Sequence, residues 1–183
     1  MKEVVIDACC MLNLLAMGRE DEIVLALGWH LLETPQSRAE SIFLMSPPDQ
    51  DGTRSRQTAS TGTLRQQGLL ETRALEGAAL IDAFVAAAEF ISDADASCIA
   101  LAGVGRLPLV TDDRKQRRIA RKLFPELGLV STLDLLHAAW IEQGWSAREL
   151  AAIAYDLRWR GNFAPPRGDP RQEWYESLIE GLR

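Results

Sequence analysis

Short apolar runs that end in polar residues alternate along the chain with longer segments in which apolar residues recur every three or four positions. The short runs have the length of buried β-strands, and the longer segments have the period of amphipathic helices. The predicted strands are residues 2–7, 29–34, 68–74, 107–110 and 128–131. The predicted helices are residues 8–18, 22–27, 75–91, 92–104, a basic helix from Arg114 that ends at Phe124, 132–143, 146–159 and 172–182.

This alternation predicts an α/β fold, a three-layer α/β/α sandwich around a central, mostly parallel sheet of four or five strands, with further helices at the C-terminus. Residues 1–143 are predicted to form one domain, and residues 144–183 a helical extension packed on it. Residues 46–63 are rich in Pro, Ser, Thr and Gly and have no apolar period. They are predicted to be a loop or an irregular hairpin inserted in that domain.

Two predicted strands end in an acidic residue that is followed at once by a helix. The first strand ends at Asp7, and the strand 107–110 is followed by Asp112 and Asp113. In open α/β sheets, ligands bind at the carboxyl ends of the strands. The simpler interpretation of Asp112 and Asp113 is that they only cap the following helix. The second strand–Asp–helix unit favours a functional site.

A third acid has the context of a helix start. Ser37 and Glu40 have the spacing of a capping box, and Ile42 and the next two residues are apolar. This pattern predicts that Glu40 opens a helix. A capping-box Glu needs no catalytic role, so the pattern alone leaves both interpretations of Glu40 open.

A fourth acid lies in the first turn of the helix that Ser92 is predicted to cap. Asp93 and Asp95 differ by about 200° around a helix, so they cannot both face one site. Asp95 shares a face with Ile99 and Ala102, the apolar stripe that faces the core. Asp95 is therefore the candidate site residue.

Composition limits the classes of protein. The 183-residue chain is 47% hydrophobic and 25% charged, which is typical of a globular protein, and its net charge of −6 argues against a generally basic nucleic-acid coat protein. The sequence contains no run of about 18 apolar residues, so no membrane span is predicted. The N-terminus lacks a secretory pattern. Three cysteines without disulfide or zinc spacing predict thiols in a reducing cytoplasm.

The order and context of Asp7, Glu40, Asp95 and Asp113 resemble the PIN domain, a family of metal-dependent nucleases. The resemblance rests on VVIDACCMLNLLA, on Glu40, and on DASCIALA and LVTDDRK, and it spans roughly residues 2–143. The segments DDRKQRRIARK and GLVSTLDLLHAA also resemble a bacterial subgroup close to the toxins of VapBC-type toxin–antitoxin modules. The chain departs from the family at Cys9, where members often carry Ser or Thr.

The resemblance implies a divalent-metal-dependent endoribonuclease that hydrolyses phosphodiester bonds in RNA, with Mg²⁺ or Mn²⁺ as cofactor. Asp7 and Asp95 would bind the first metal directly. Asp113 would bind it through water or serve a second metal, and Glu40 would position the attacking water. Crowded carboxylates repel one another and take up protons unless a cation is present, which gives this assignment a physical reason.

Several assignments stay open within this family. The spacing from the preceding Thr favours Asp113 as the fourth acid, and Asp112 is the alternative. Glu71 or Glu76 would replace Glu40 if the middle helix lies elsewhere.

A carboxylate pocket would repel a polyanion unless cations flank it. Arg114, Lys115 and Arg118 open the basic helix and are predicted to bind substrate phosphates; the alternative is a solvated basic face. Residues 158–163 are either an auxiliary contact for RNA or a protein, or a core cluster at a helix end. Aromatic residues are sparse near the basic helix, so no base-specific readout is expected.

The expected partner is RNA, although the sequence does not distinguish RNA from DNA. The resemblance also implies an antitoxin chain and a second copy of the protein as partners, and a cytoplasmic location. The alternative function is a non-catalytic PIN-fold module that binds nucleic acid or protein. A phosphoaspartate enzyme or receiver domain is disfavoured, because the first strand lacks the Asp-x-Asp of such phosphatases.

Overall fold

The computed structural model describes residues 1–40, 43–46 and 49–181, and within them the chain forms seven strands and ten helices. The strands are β1 (Lys2–Ile6), β2 (Trp29–Glu33), β3 (Phe43–Met45), β4 (Arg56–Thr58), β5 (Leu70–Thr72), β6 (Leu109–Val110) and β7 (Leu129–Val130). The helices are α1 (Ala8–Ala16), α2 (Glu20–Ala26), α3 (Pro35–Arg38), α4 (Gly62–Gln66), α5 (Ala78–Ala88), α6 (Asp93–Gly105), α7 (Arg114–Leu123), α8 (Thr132–Gln143), α9 (Ala147–Arg160) and α10 (Gln172–Glu180).

The five predicted strands form one sheet in the order β5-β2-β1-β6-β7. Every pairing in it is parallel; Val4 lies opposite Leu31, and Ile6 lies opposite Val110. The α/β class and the three-layer sandwich around a parallel sheet are confirmed. The carboxyl ends of all five strands lie at one edge of the sheet.

The two faces of the sheet are covered by different helices, because successive strand side chains point to opposite faces. Val4 and Ile6 belong to a core that includes Leu14 of α1 and buried residues of α8 and α9. Val5 faces a second core with Ile99 of α6 and Ile119 of α7. The sheet is therefore buried on both faces, as its apolar runs predict.

The capping-box prediction for Ser37 and Glu40 is wrong. Helix α3 begins at Pro35, and Thr34 is its cap: the Thr34 Oγ1 accepts a hydrogen bond from the Ser37 amide at 3.1 Å. Proline suits the first helical position, and Thr is a good cap, so this start replaces the one predicted at Ser37. Glu40 follows the helix instead of opening one, and Ile42 lies outside the described residues.

The predicted insertion, residues 46–63, supplies the second strand of an antiparallel hairpin and the start of a short helix. Strand β3 begins before the predicted insertion and pairs with β4, with Phe43 opposite Thr58. The hairpin therefore begins before the predicted insertion, and residues 47 and 48 lie outside the described part. Helix α4, which begins at Gly62, was not predicted.

The C-terminal helices pack on the same core as β1. The fully buried Tyr175 of α10 donates a hydrogen bond from its hydroxyl to the carbonyl of Ala154 in α9, at 3.1 Å. Helix α9 in turn packs on α1. Among the described residues, no helix is long and apolar enough to cross a membrane.

Candidate active site

The carboxyl ends of β1 and β6 lie side by side at the centre of the sheet edge. The Asp7 amide donates to the carbonyl of Val110 at 3.2 Å, and the Thr111 amide donates to that of Val130 at 3.0 Å. These backbone bonds extend the strand pairing to the residues that carry the chemistry. Asp7 and Thr111 therefore sit on rigid strand ends.

Asp7 is buried and serves as the cap of α1. Its Oδ1 accepts a hydrogen bond from the Cys10 amide at 2.6 Å, and only 4% of the residue is exposed. Burial raises the pKa of Asp7 to about 6; hydrogen bonds from Thr111 and Cys10 oppose this shift, and the nearby Asp112 charge adds to it. A carboxylate with this pKa is held in place at some electrostatic cost, which a cation would offset.

The four predicted acids lie near enough to the thiol of Cys9 for their charges to act on it. Desolvation raises the pKa of this thiol to about 11, and repulsion by neighbouring carboxylates adds to the shift. Those carboxylates are Asp7, Glu40, Asp95 and Asp113. Four separate segments of the chain thus each contribute an acid near Cys9.

Glu40 and Asp7 both line a cleft of about 270 Å³, which we call the acidic cleft. Burial and the charge of Asp95 raise the pKa of Glu40. Of the alternatives to Glu40, Glu71 forms an ion pair with Arg73 at 3.3 Å, and Glu76 lies in the exposed loop before α5. The structure therefore places Glu40 with the other acids, although the helix predicted to carry it is absent.

Asp95 and Asp113 lie at the starts of two neighbouring helices. Ser92 caps α6, and its hydroxyl donates to Asp95 Oδ2 at 2.8 Å. Burial raises the pKa of Asp95, against the hydrogen bond from Ser92, and repulsion by Asp113 raises it further. Gln116 of α7 donates to the Asp95 carbonyl at 3.2 Å, so it holds the two helix starts together.

Asp112 and Asp113 differ in what they contact. Asp113 is exposed and caps α7, accepting from the Gln116 amide at 2.7 Å. Asp112 is half-buried and points the other way, where it accepts from Asn13 Nδ2 at 3.2 Å and from the Thr132 amide at 2.9 Å. Asp113 therefore belongs to the acids around Cys9, and Asp112 links the starts of α1 and α8 behind Asp7.

The three predicted cationic residues do not face one site. Lys115 lies near enough to Asp95 to lower its pKa. Arg114 and Arg118 instead line a second cleft, which we call the arginine cleft. Its five arginines are Arg114, Arg117, Arg118, Arg121 and Arg167.

Sequence reasoning missed a buried acid at the end of β2. Glu33 lines the acidic cleft and is 5% exposed. It forms ion pairs with Arg65 and Arg38, and it accepts a hydrogen bond from Thr72 Oγ1 at 2.9 Å. Its position at a strand end repeats the pattern of Asp7 and could have singled it out. Because cations neutralise Glu33, it contributes structure to the cleft and little free negative charge.

The acids fit Mg²⁺ or Mn²⁺ by donor chemistry, since both ions prefer oxygen ligands. Burial, and then repulsion by a neighbouring carboxylate, raises the pKa of Asp7, Glu40 and Asp95, and a cation would oppose both effects. Within the described residues, no three His, Cys, Asp or Glu side chains are close enough together to hold a metal ion as they stand. Metal binding would require side chains around Cys9 to move closer together.

Comparison with known proteins adds no assignment. No family model, no curated protein and no solved structure matches the chain.

Proposed function

We propose that the protein is a divalent-metal-dependent nuclease of the PIN type that hydrolyses phosphodiester bonds in RNA. The observation that carries the proposal is the gathering of Asp7, Glu40, Asp95 and Asp113 around Cys9 at the carboxyl edge of a parallel sheet. A protein that only bound phosphates would gain nothing from these acids, because carboxylates repel phosphate. Acids that lie near one another in spite of their repulsion favour a cation among them, and the side chains around Cys9 would move closer together to hold it.

Asp7, Asp95 and Asp113 are the residues that would hold Mg²⁺ or Mn²⁺. When bound, such an ion lowers the pKa of water and stabilises charge on the attacked phosphate. Thr111, at the neighbouring strand end, favours the charged form of Asp7 and lowers its pKa. Gln116 keeps the starts of α6 and α7 in contact.

Glu40 would orient the attacking water and accept its proton. It lines the acidic cleft, and its raised pKa makes it a stronger base than an ordinary Glu. Lys115, beside Asp95, would reduce the repulsion between the carboxylates and an incoming phosphate.

The biological role that we propose is that of a toxin held inactive by a separate antitoxin chain, with a second copy of the protein as a further partner. The protein would act in the cytoplasm, where its three thiols, which are free in the structure, would stay reduced. Expression of the wild-type chain in a bacterial host should arrest growth, and expression of the Asp7→Asn variant should not. Growth arrest by both chains would contradict the toxin role.

Cleavage assays test the nuclease proposal directly. Single-stranded RNA and DNA are incubated with the protein and Mg²⁺, Mn²⁺ or EDTA, and the Asp7→Asn and Asp95→Asn variants are compared with wild type. The matched control is Asp93→Asn, an exposed acid in the same helical turn as Asp95. We expect metal-dependent cleavage of RNA that Asp93→Asn retains and the other two variants lose.

Cleavage that survives both site substitutions would contradict the proposed site.

The alternative function is a non-catalytic module that binds nucleic acid or protein, and the arginine cleft is the observation that favours it. Tight nucleic-acid binding without metal-dependent cleavage would support that alternative.

A further inference from the structure

The arginine cleft has a volume of about 460 Å³ and lies between α7 and the loop that precedes α10. Four arginines of α7 share one face of the helix, because they are spaced three or four positions apart. They are Arg114, Arg117, Arg118 and Arg121. Arg167 approaches from the opposite wall, on a Pro- and Gly-containing loop. The cleft is thus formed by two segments that are distant in the chain.

The arginines of this cleft differ from those elsewhere in the protein. Arg73 and Arg171 form ion pairs with carboxylates, at 2.7 Å and 2.9 Å. Within the part of the chain that the structure describes, no ion pair or hydrogen bond engages the side chains of four cleft arginines: Arg114, Arg118, Arg121 and Arg167. Their positive charges are therefore available to a ligand.

Two aspartates also line the cleft, but both already accept hydrogen bonds from the protein. Asp112 accepts from Asn13 and Thr132, and Asp169 Oδ1 accepts from the Arg171 amide at 2.8 Å. The five arginines outnumber them, in a protein whose net charge is −6. The cleft is therefore a local site for an anion on an acidic protein.

The shape of the cleft favours an extended polyanion over a single small anion. Residues 114 and 121 lie about 10 Å apart along the helix axis, given a rise of 1.5 Å per residue. Guanidinium groups bind phosphate through paired, charge-assisted hydrogen bonds. Among the described residues, no aromatic side chain lines the cleft, so contact with a backbone is favoured over stacking on bases.

The arginine cleft and the acidic cleft lie at the same edge of the sheet. Asp7 follows β1 and lines the acidic cleft, whereas Asp112 follows the neighbouring β6 and lines the arginine cleft. We propose that the arginine cleft binds the phosphodiester backbone of a nucleic-acid strand beside the phosphate that is cut. This inference rests on the proposed nuclease function, which supplies the strand.

Binding without cleavage tests the inference. A fluorescein-labelled single-stranded RNA is titrated with the full-length protein in EDTA, and fluorescence anisotropy gives Kd for wild type and for the Arg121→Gln/Arg167→Gln double variant. The matched control is Arg148→Gln, an exposed arginine of α9 that lines neither cleft. The two substituted arginines are exposed, so the circular dichroism spectrum of the double variant should match that of wild type.

We expect the double variant to raise Kd at least about tenfold, because each lost contact is a charge-assisted hydrogen bond to phosphate. The slope of log K against log salt should fall in magnitude by about 1.4, since each phosphate contact on a single strand contributes about 0.7. Arg148→Gln should leave both quantities unchanged. RNAs of different sequence and equal length should bind alike.

Unchanged Kd and salt slope in the double variant would overturn the inference while leaving metal-dependent cleavage, and thus the nuclease proposal, intact. Arginine-dependent binding of RNA without any cleavage would support the cleft and overturn the nuclease proposal. Polyglutamate that binds through the same arginines while RNA does not would overturn the inference in favour of an acidic peptide.

Discussion

The acidic and arginine clefts share one edge of the sheet but are built in opposite ways. Asp7 is buried on a strand end, accepts a backbone hydrogen bond, and has a raised pKa. Arg121 and Arg167 are exposed on a helix face and a loop. Asp7 is held where burial penalises its charge, whereas these arginines lie where water stabilises theirs.

This difference indicates that the two clefts have different roles. Groups that must orient a cation or a water need fixed positions, which strand ends and helix caps provide. Groups that attract a flexible polyanion need only charge and reach, which long exposed side chains provide.

The largest effect should come from Asp7→Asn. We expect cleavage of RNA under saturating Mg²⁺ to fall on the order of 10³-fold or more, the loss typical of an essential catalytic group. Kd for RNA measured in EDTA should stay within about twofold of wild type, because Asp7 makes no phosphate contact in the arginine cleft. Single-turnover kinetics and anisotropy measure the two quantities. A loss of RNA binding as large as the loss of cleavage would contradict the separate roles of the two clefts.

Metal-free unfolding should report the electrostatic cost of burying Asp7. Between the ordinary aspartate pKa of 3.8 and the native pKa of about 6, the folded state binds more protons than the unfolded state, so stability falls as pH rises. Asparagine retains the cap without the charge. We therefore expect the Asp7→Asn variant to be more stable than wild type at pH 7. Its free energy of unfolding should be higher by up to about 3 kcal/mol, given about 1.4 kcal/mol per pKa unit. The difference should disappear below pH 4.

Urea titrations in EDTA at several pH values give this comparison, with Asp93→Asn as the exposed control. A wild-type chain as stable as Asp7→Asn at pH 7 would show that Asp7 carries no such cost.

The sheet and most acids could be predicted because their signals are local. A strand that ends in an acid and leads into a helix specifies the place of Asp7 and of Asp113 without knowledge of distant contacts. Asp95 could be separated from Asp93 by helical geometry alone. These signals depend on a few neighbouring residues, and tertiary packing does not compete with them.

The remaining features depend on competition or on distant partners. Thr34 and Pro35 offer a better helix start than the capping box of Ser37, so the prediction that Glu40 opens a helix was wrong. Glu33 looks like Asp7 in sequence, and only its partner Arg65 in α4 shows that it is neutralised. The arginine cleft needs Arg167, whose loop reaches α7 only through tertiary packing.

Asp112→Ala should have an intermediate effect, because Asp112 lies behind Asp7 at the junction of the two clefts. The substitution leaves the buried Thr132 amide and the Asn13 amide group without their carboxylate acceptor. We expect the free energy of unfolding at pH 7 to fall by about 2 kcal/mol, the usual cost of an unsatisfied buried donor. Urea denaturation measures it, with exposed Asp93→Ala as control. An equal loss in both variants would contradict the linking role of Asp112.

The smallest effect should come from Lys115→Gln, which removes the cation beside Asp95. Stronger repulsion of the RNA should raise KM about threefold at low salt while kcat stays unchanged, since an exposed charge contributes at most about 1 kcal/mol. Screening should abolish the difference near 0.5 M salt, where the Debye length falls to about 4 Å. Lys122→Gln is the matched control, because Lys122 lies over the Phe90 ring at 4.5 Å instead of beside the acids. A change in kcat would mean that Lys115 helps to position the acids, and the separation between fixed acids and attracting cations would then fail at this residue.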